Sequence, residues 1–363
     1  MREKNTISSQ IPKIGKQLAN YSGMEVIDRL GEDVVKSVVI SILSGGNVRA
    51  LTESLTRRRL SLSNASMLML FLQCMKNCDN FCDNLNGLVA KEMKNEKLDK
   101  DAKIFLNWLV GLTGKGIQNV LRSDEQSFQE YLSDLGESVA KCASESDVLF
   151  GALEAVFTDK DNQVYRLNWR ELLQIFCAVG AQTLTIRGSE KSMYGKFFEK
   201  LVLGSLLTLL GFTLKKDSPE KPEKIFWLSE RGKKRESDAT VIYKLGVGVR
   251  FDIGFIGPGN TEISLDKVSR FEREIDIGSQ KHYMSTIILV DRIGDRSRIT
   301  SMAQQIDGDI VQMSMTYWVK EVVAVLHKRI KFYHPILKMD GENSIDYIID
   351  KMKQIDIKQF VLN

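Results

Sequence analysis

A hairpin pattern between residues 235 and 262 constrains this sequence more than any other stretch. Five apolar residues alternate without a break in its second half: Val247, Val249, Phe251, Ile253 and Phe255. This alternation is the two-residue period of a half-buried strand. A shorter alternating run, from Glu236 to Tyr243, comes before it, and a turn containing Gly246 separates the two. The pattern predicts two antiparallel strands joined by a short turn.

Each predicted strand carries an aspartate on its polar face, Asp238 on the first and Asp252 on the second. If the turn centres near Gly246, Asp238 lies opposite Gly254 and diagonal to Asp252. Diagonal neighbours are ~7–8 Å apart, which lets two carboxylates share one cation. Acidic residues are depleted in strands, so this pairing favours a metal site. The alternative is a solvated hairpin face.

The composition is that of an ordinary globular protein, with 363 residues, 43% hydrophobic and 27% charged. This length accommodates two domains, each with its own core. The net charge of +4 is compatible with nucleic acid but does not by itself indicate it. The chain has no apolar run of membrane-spanning length and no signal-peptide core at its start. Its five cysteines, an odd number, suggest reduced thiols in a cytoplasmic protein.

The periodicities predict an α/β (α+β) chain in three parts. A helical domain is expected over residues 1–183, a mixed sheet flanked by helices over 184–330, and a helical tail over 331–363. The change of character is placed at Leu184–Ser189, before an apolar helix at Ser192–Leu210. Val148–Phe157 is predicted to be helical, and Asp159–Asn162 to be a polar turn. Further elements are expected in the second half: strands at Ile225–Leu228, Ser285–Asp291 and Asp309–Met315, and helices at Ser264–Asp276, Ile299–Asp307, Tyr317–Ile330 and Ser344–Phe360.

Two clusters in the helical half have alternative explanations. Four arginines, Arg49, Arg57, Arg58 and Arg59, form either a solvated helix face or a phosphate-contacting patch. Three cysteines, Cys74, Cys78 and Cys82, recur every four residues along one predicted helix face. Because no fourth ligand stands nearby, buried thiols are favoured over a metal site.

From Ser192 onward the predicted order is helix, three strands, helix, strand, helix, strand, helix, with carboxylates on the second and third strands. From Leu184 to Ile330 the chain resembles the PD-(D/E)XK nuclease superfamily, and in particular the type II restriction endonucleases. The runs G-K-F-F-E-K-L-V and I-V-Q-M-S-M are similar to restriction enzymes of the CfrBI type. The resemblance implies Mg²⁺-dependent, sequence-specific cleavage of double-stranded DNA.

The resemblance also implies site residues. Ser237-Asp238 takes the place of the "PD" motif, Asp252-Ile253-Gly254 that of the "DXK" motif, and Glu199 that of the glutamate on the preceding helix. The implied Mg²⁺ ligands are Asp238 and Asp252, with Glu236 or Glu199 holding a metal-bound water or a second ion. DNA contacts are expected from five basic residues: Arg231, Lys233, Lys234, Arg235 and Arg250.

One position departs from the motif, because Gly254 stands where the superfamily has a lysine. Lys267, on the predicted following helix, is the first candidate for its replacement, and Arg250 is the second. A rival alignment makes Asp252 the first acid and Glu262 the second. It is disfavoured because Pro258-Gly259-Asn260 separates the two, and because stabilisation of the helix dipole already explains an acid at a predicted helix start.

A homodimer on a palindromic site is expected, because symmetric cutting of two strands needs two active sites. Either the helix Tyr317–Ile330 or the helices of the first half would form its interface. Two alternatives stay open: a catalytically inactive nuclease fold that only binds DNA, and a helical protein-interaction module.

Overall fold

The computed structural model describes residues 6–19, 23–78, 80–120, 125–215, 223–229, 237–255, 283–291 and 308–361. The chain divides into two compact units. The first unit comprises Met1–Tyr21 and Leu55–Lys191, and the second comprises Ser22–Ser54 and Ser192–Asn363. Within the described ranges no helix is both long and apolar enough to cross a membrane.

Helices dominate the chain up to residue 209, as predicted. The elements are α1 Ile7–Gln10, α2 Lys13–Ala19, α3 Met24–Leu30, α4 Glu32–Leu43, α5 Val48–Asn77, α6 Phe81–Met93, α7 Lys100–Leu109, α8 Gly114–Val120, α9 Glu125–Phe150, β1 Ala155–Thr158, β2 Val164–Leu167 and α10 Trp169–Leu209. The core of the first unit contains buried aromatic residues, among them Phe71, Phe81, Phe105 and Trp108. Phe71 and Phe81 meet edge to face with their centroids 5.1 Å apart, a favoured aromatic geometry.

The β1–β2 hairpin corrects the prediction of an all-helical first half. Residues Val148–Phe157 were expected to form a helix, but α9 ends at Phe150 and β1 begins at Ala155. The predicted polar turn is present, and it closes the hairpin because Asp159 Oδ1 accepts the backbone N–H groups of Asp161 and Gln163, both at 2.9 Å. Pairing with β2, which follows directly after the turn, decides this segment, and helical periodicity alone does not detect such pairing.

The predicted break at Leu184–Ser189 is also absent, since α10 runs through it without interruption. Thr185 Oγ1 donates to the Ala181 carbonyl at 2.8 Å, a bond one helical turn back that β-branched hydroxyl residues make within helices. The Trp108 indole N–H donates to Thr185 Oγ1 at 3.0 Å. Tertiary contacts therefore sustain the helix where local propensity is weak.

Within the two clusters, Arg59 supports the fold, and the cysteines do not form the single row that their spacing predicts. Arg59 is 2% exposed, and its guanidinium donates to the carbonyl of Leu18 at 2.8 Å and to that of the next residue at 3.0 Å. It is therefore not part of a solvated or phosphate-binding face, whereas Arg57 and Arg58 are exposed. The cysteines at 74, 78 and 82 do not share one helix, because α5 ends at Asn77 and α6 begins at Phe81.

The second unit contains a six-stranded mixed sheet in the order β3-β4-β5-β6-β7-β8. The strands are β3 Thr213–Leu214, β4 Ile225–Leu228, β5 Ala239–Lys244, β6 Val247–Gly254, β7 Tyr283–Val290 and β8 Gly308–Gln312. β4, β5 and β6 are antiparallel, β3 is parallel to β4, and β6, β7 and β8 are mutually parallel. The mixed sheet flanked by helices is confirmed. The helices predicted at Ser264–Asp276 and Ile299–Asp307 lie outside the described residues.

Two α-helices follow the sheet, α11 Trp318–Ile330 and α12 Gly341–Gln354, and two short 3-10 helices span Pro335–Lys338 and Ile357–Phe360. This last element replaces the end of the helix predicted over Ser344–Phe360, because the chain is extended at Ile355.

The N-terminal helix α4 belongs to this second unit, although the sequence groups it with the helical domain. The indole N–H of Trp318, which is fully buried, donates to the Ile42 carbonyl at 2.8 Å. Lys358 also pairs with Glu32 at 3.3 Å. The unit is therefore assembled from two segments that are distant in the sequence.

We expect Trp318→Phe to lower the stability of the second unit. The substitution removes the indole donor to the Ile42 carbonyl, which keeps the backbone N–H of Gly45 at 3.0 Å, and it removes part of a large buried ring. It should therefore cost about 1–3 kcal/mol. Thermal melting with fluorescence detection measures the loss. Tyr317→Phe is the matched control, since Tyr317 is 45% exposed and should melt like the parent. Equal melting of Trp318→Phe and the parent would contradict the contact's role.

Candidate active site

The hairpin of β5 and β6 brings the predicted aspartates to the same end of the sheet. The strands are joined by Leu245 and Gly246, and Gly246 has a φ of 74°, a conformation that glycine adopts without steric cost. The register pairs Ala239 with Phe251 and Thr240 with Arg250. The two-strand prediction is confirmed.

The predicted register is wrong by two residues. Asp238 directly precedes Ala239, so the pairing of Ala239 with Phe251 places it across from Asp252 and not from Gly254. The reason is local: the turn has two residues, and a bulge between Ile242 and Lys244 shifts the ladder once more. A bulge of this kind inserts one unpaired residue, which alternation alone does not reveal.

The two aspartates accept backbone N–H groups from each other's strand. Ile253 N donates to Asp238 Oδ2 at 2.9 Å, and the backbone N–H of Asp238 lies 3.4 Å from Asp252 Oδ1. The two aspartates therefore lie directly opposite each other on the paired strands, and not at the diagonal positions that the sequence predicted. Asp252 is only 7% exposed. Burying a carboxylate costs free energy, and a like-charged neighbour adds to the cost, so this pair favours a bound cation.

The rest of β6 holds Asp252 in place. Val249, Phe251 and Ile253 are fully buried on the face opposite to Asp252. On the other side of the strand, parallel β7 pairs Ile288 with Asp252. The aspartate therefore sits on a strand that has neighbours on both edges, which limits its movement.

One buried carboxylate at this edge was not singled out from the sequence. Asp291 follows β7 directly, is 8% exposed, and its N–H donates to the Gly254 carbonyl at 3.2 Å. Its place at the end of an apolar strand, where parallel strands bring their ends together, is the signal that could have found it. Yet no three His, Cys, Asp or Glu side chains form a metal-binding group within the described ranges, so Asp291 does not complete a triad with Asp238 and Asp252.

The other predicted site residues are only partly placed. Arg250 is half-buried on β6 and pairs with Thr240 on one side and Thr286 on the other. Glu199 is half-buried on α10 and, like Asp291, does not form a three-carboxylate group with the two aspartates among the described residues. Seven residues considered above lie outside the described residues: Arg231, Lys233, Lys234, Arg235, Glu236, Glu262 and Lys267.

The donor set fits a small divalent cation. Two aspartates offer only oxygen atoms, which are the ligands that Mg²⁺ prefers, and Mg²⁺ usually keeps several waters and takes one or two carboxylates. A pair of carboxylates is therefore a sufficient protein contribution, and Asp238 and Asp252 are the residues that would hold the ion.

The cysteines offer no competing site. Burial raises the pKa of Cys82 to about 12 and that of Cys74 still higher, so both thiols stay protonated at neutral pH and are poor metal ligands. None of the five cysteines, all within the described residues, forms a disulfide. This agrees with the interpretation as inert thiols.

We expect Asp252→Asn to raise the stability of the metal-free protein and to remove most of the stabilisation that Mg²⁺ provides. Without metal the variant should melt above the parent, because one of two facing charges is removed. With Mg²⁺ at 100 times its Kd the parent should gain about 2.7 kcal/mol, and the variant far less. Differential scanning fluorimetry with and without Mg²⁺ measures both effects. Asp346→Asn, at an exposed aspartate on α12, should gain as much as the parent. An equal gain in Asp252→Asn would remove this aspartate from the metal site.

Comparison with known proteins identifies the family. The family model for the CfrBI restriction endonuclease matches residues 32–298, a range that contains both aspartates. The type II restriction enzyme CfrBI of Citrobacter freundii is 41% identical over 351 residues, which are 95% of each chain. No solved structure matches the chain. A family match over most of the chain, together with this near full-length identity, shows that the chain belongs to the CfrBI restriction endonuclease family.

Proposed function

We propose that this protein is a sequence-specific endonuclease that hydrolyses double-stranded DNA, with Mg²⁺ held by Asp238 and Asp252. The observation that carries the proposal is the carboxylate pair across β5 and β6, in a chain of a restriction endonuclease family. The strand order, an antiparallel β4-β5-β6 meander followed by parallel β7, agrees with the resemblance to PD-(D/E)XK nucleases. Asp238 directly precedes the second strand of this meander, and Asp252 lies on the third.

The aspartates have a direct role in the chemistry. Their oxygens would hold the ion beside the scissile phosphate, and the cross-strand N–H bonds fix the direction of both carboxylates. Mg²⁺, when bound, lowers the pKa of a coordinated water and offsets charge on the phosphate. Hydrolysis then breaks the bond between phosphorus and the leaving sugar oxygen while the oxygen of water bonds to phosphorus.

The position of the superfamily lysine needs a replacement. Gly254 ends β6, is buried, and offers no side chain to the water. Arg250 lies two residues before Asp252 on the same strand face, but its guanidinium keeps its protons and is suited to gripping phosphate. We assign the water-orienting role to Lys267, whose ammonium has a long and flexible stem, and phosphate binding to Arg250.

The remaining predicted residues complete the proposal. Glu199 or Glu236 would hold a metal-bound water or a second ion. The basic segment with Arg231, Lys233, Lys234 and Arg235 would contact the DNA backbone, where lysine and arginine contacts position the duplex.

We also propose that the enzyme acts as a homodimer, because one two-fold axis supplies both active sites with one gene product. One of the two interfaces suggested by the sequence is disfavoured by the structure. The apolar face of α11 is already buried within its own unit through Trp318, Val319, Val322, Val323, Leu326 and Ile330. The dimer interface must therefore be sought elsewhere.

We expect Asp238→Asn and Asp252→Asn each to reduce DNA cleavage at least about 100-fold, because losing a ligand removes several kcal/mol of charge stabilisation. The measurement is single-turnover cleavage of plasmid DNA in Mg²⁺, with circular dichroism as a check on folding. Asp346→Asn serves again as the control and should cut like the parent. Parent-like cutting by either of the first two variants would refute the metal-ligand assignment.

We expect Arg250→Ala and Lys267→Ala to act on different steps. Arg250→Ala should weaken DNA binding, measured in Ca²⁺ to prevent cleavage, by about 5–30-fold, the loss of one charge-assisted contact. Lys267→Ala should leave binding close to the parent and slow single-turnover cleavage by at least about 100-fold, the effect of removing a general acid–base group. Cutting at the parent rate by Lys267→Ala would show that another residue orients the water.

One observation favours a second candidate function. The glycine at 254 removes the lysine on which the superfamily motif depends, so a nuclease fold that binds DNA without cutting it is the alternative. Such a protein would bind DNA in Ca²⁺, with affinity falling as salt rises, and would leave plasmid DNA intact in Mg²⁺. The same two assays on the parent protein therefore separate the two functions.

A further inference from the structure

Exposed apolar side chains are concentrated in one short stretch of the first unit. Six large apolar residues between positions 148 and 164 are exposed, by 38% to 83%. They are Val148, Leu149, Phe150, Leu153, Val156 and Val164. Scattered exposed apolar residues are normal, but several of them within one short stretch of the chain indicate an interaction surface. We call these six residues the α9–hairpin face.

The end of α9 carries half of this face and is poorly covered by its own unit. Val139 is the last buried residue of the helix, and the three turns from Ala140 to Phe150 contain none. A helix of a globular protein buries its apolar stripe against a neighbour. Here Val148, Leu149 and Phe150 have no such core beneath them among the described residues.

The face is nevertheless held in a fixed shape. The Trp169 indole N–H donates to the Gly151 carbonyl at 2.9 Å, and its ring lies 6.1 Å from that of Phe150. The hairpin is anchored from behind, because Tyr165 and Leu167 of β2 are buried in the core of the first unit. Their neighbours Val156 and Val164 consequently point outward. A preformed surface of this kind binds at a lower ordering cost than a flexible one.

Area and charge both fit a second copy of the same chain. At typical areas of ~150–200 Å² per large apolar side chain, the six residues expose on the order of 600 Å², close to the ~800 Å² that one partner contributes to a standard interface. Exposed residues of both charges stand near these residues in the chain: Lys141 pairs with Glu145 at 4.0 Å, and Arg166 pairs with Glu154 at 2.7 Å. A two-fold interface must be complementary to itself, and surroundings that carry both charges are compatible with that requirement.

We infer that the α9–hairpin face is the surface through which two copies of this chain dimerise. Two-fold pairing would bring Leu149 and Phe150 of one protomer against the apolar residues of its partner and would allow the nearby carboxylates to meet the partner's basic side chains. The inference rests on the proposed function, because symmetric cleavage of two strands is the reason for the protein to dimerise. The surface itself is argued from exposure, area and charge alone.

Sedimentation velocity on the full-length protein without DNA, over about a hundred-fold range of concentration, tests the inference. The parent should sediment at twice the chain mass of 41.1 kDa. Leu149→Lys should weaken dimerisation at least about 100-fold, because it places two unpaired charges at an apolar contact. Val156→Lys, on β1 of the hairpin, should weaken dimerisation to a similar extent. It provides the test if Leu149→Lys, on α9, fails to fold. Leu245→Lys is the matched control at an 81% exposed leucine in the β5–β6 turn, and it should dimerise like the parent.

Several outcomes would overturn the inference. A parent that is monomeric at every concentration would do so, and so would dimers of parent-like strength in the lysine variants. Loss of thermal stability in Leu149→Lys with dimerisation retained would show that another part of the same chain covers the face. Plasmid cleavage is measured separately. A parent dimer that does not cut DNA would refute the proposed function and leave the inferred interface standing. A monomer that cuts DNA would refute the inferred interface and leave the cleavage activity standing.

Discussion

The candidate site depends on one piece of backbone pairing, the antiparallel ladder between β5 and β6. Asp238 and Asp252 face each other because the turn at Leu245-Gly246 and the bulge after Ile242 set the register. A slip of one residue would turn one carboxylate to the other face of the sheet, since side chains alternate along a strand. The reciprocal N–H contacts of the two aspartates, through Ile253 N and Asp238 N, reinforce the same register.

The sheet around this ladder changes direction at β6, which is antiparallel to β5 and parallel to β7. On one edge of β6, antiparallel β5 places Asp238 across from Asp252. On its other edge, parallel β7 covers the strand and brings Asp291 to the same end of the sheet. Phe251 and Ile253 bury the back of β6 completely. A charged residue can therefore be tolerated at Asp252, because the apolar contacts on the other face stabilise the strand that carries it.

The unit that holds the site is assembled from both ends of the chain. The indole of Trp318 reaches the carbonyl of Ile42, a contact between residues 276 positions apart. Forming such contacts costs loop-closure entropy before it contributes stability, which slows folding. The first unit has a different role in our proposals: its α9–hairpin face would join two copies, and the site in the second unit would then be present twice.

The sequence by itself determined the mixed sheet, the hairpin with its two aspartates and the absence of a motif lysine, because alternation and residue type are local properties. Tertiary structure decided the rest. The unbroken helix through Thr185 and the burial of Arg59 and Asp291 depend on partners far away in the chain. The bulge after Ile242 and the β1–β2 hairpin depend on backbone pairing between strands that are close in the sequence. The alternation of residue types reveals neither kind of contact, so only the folded chain shows that Asp238 lies across from Asp252.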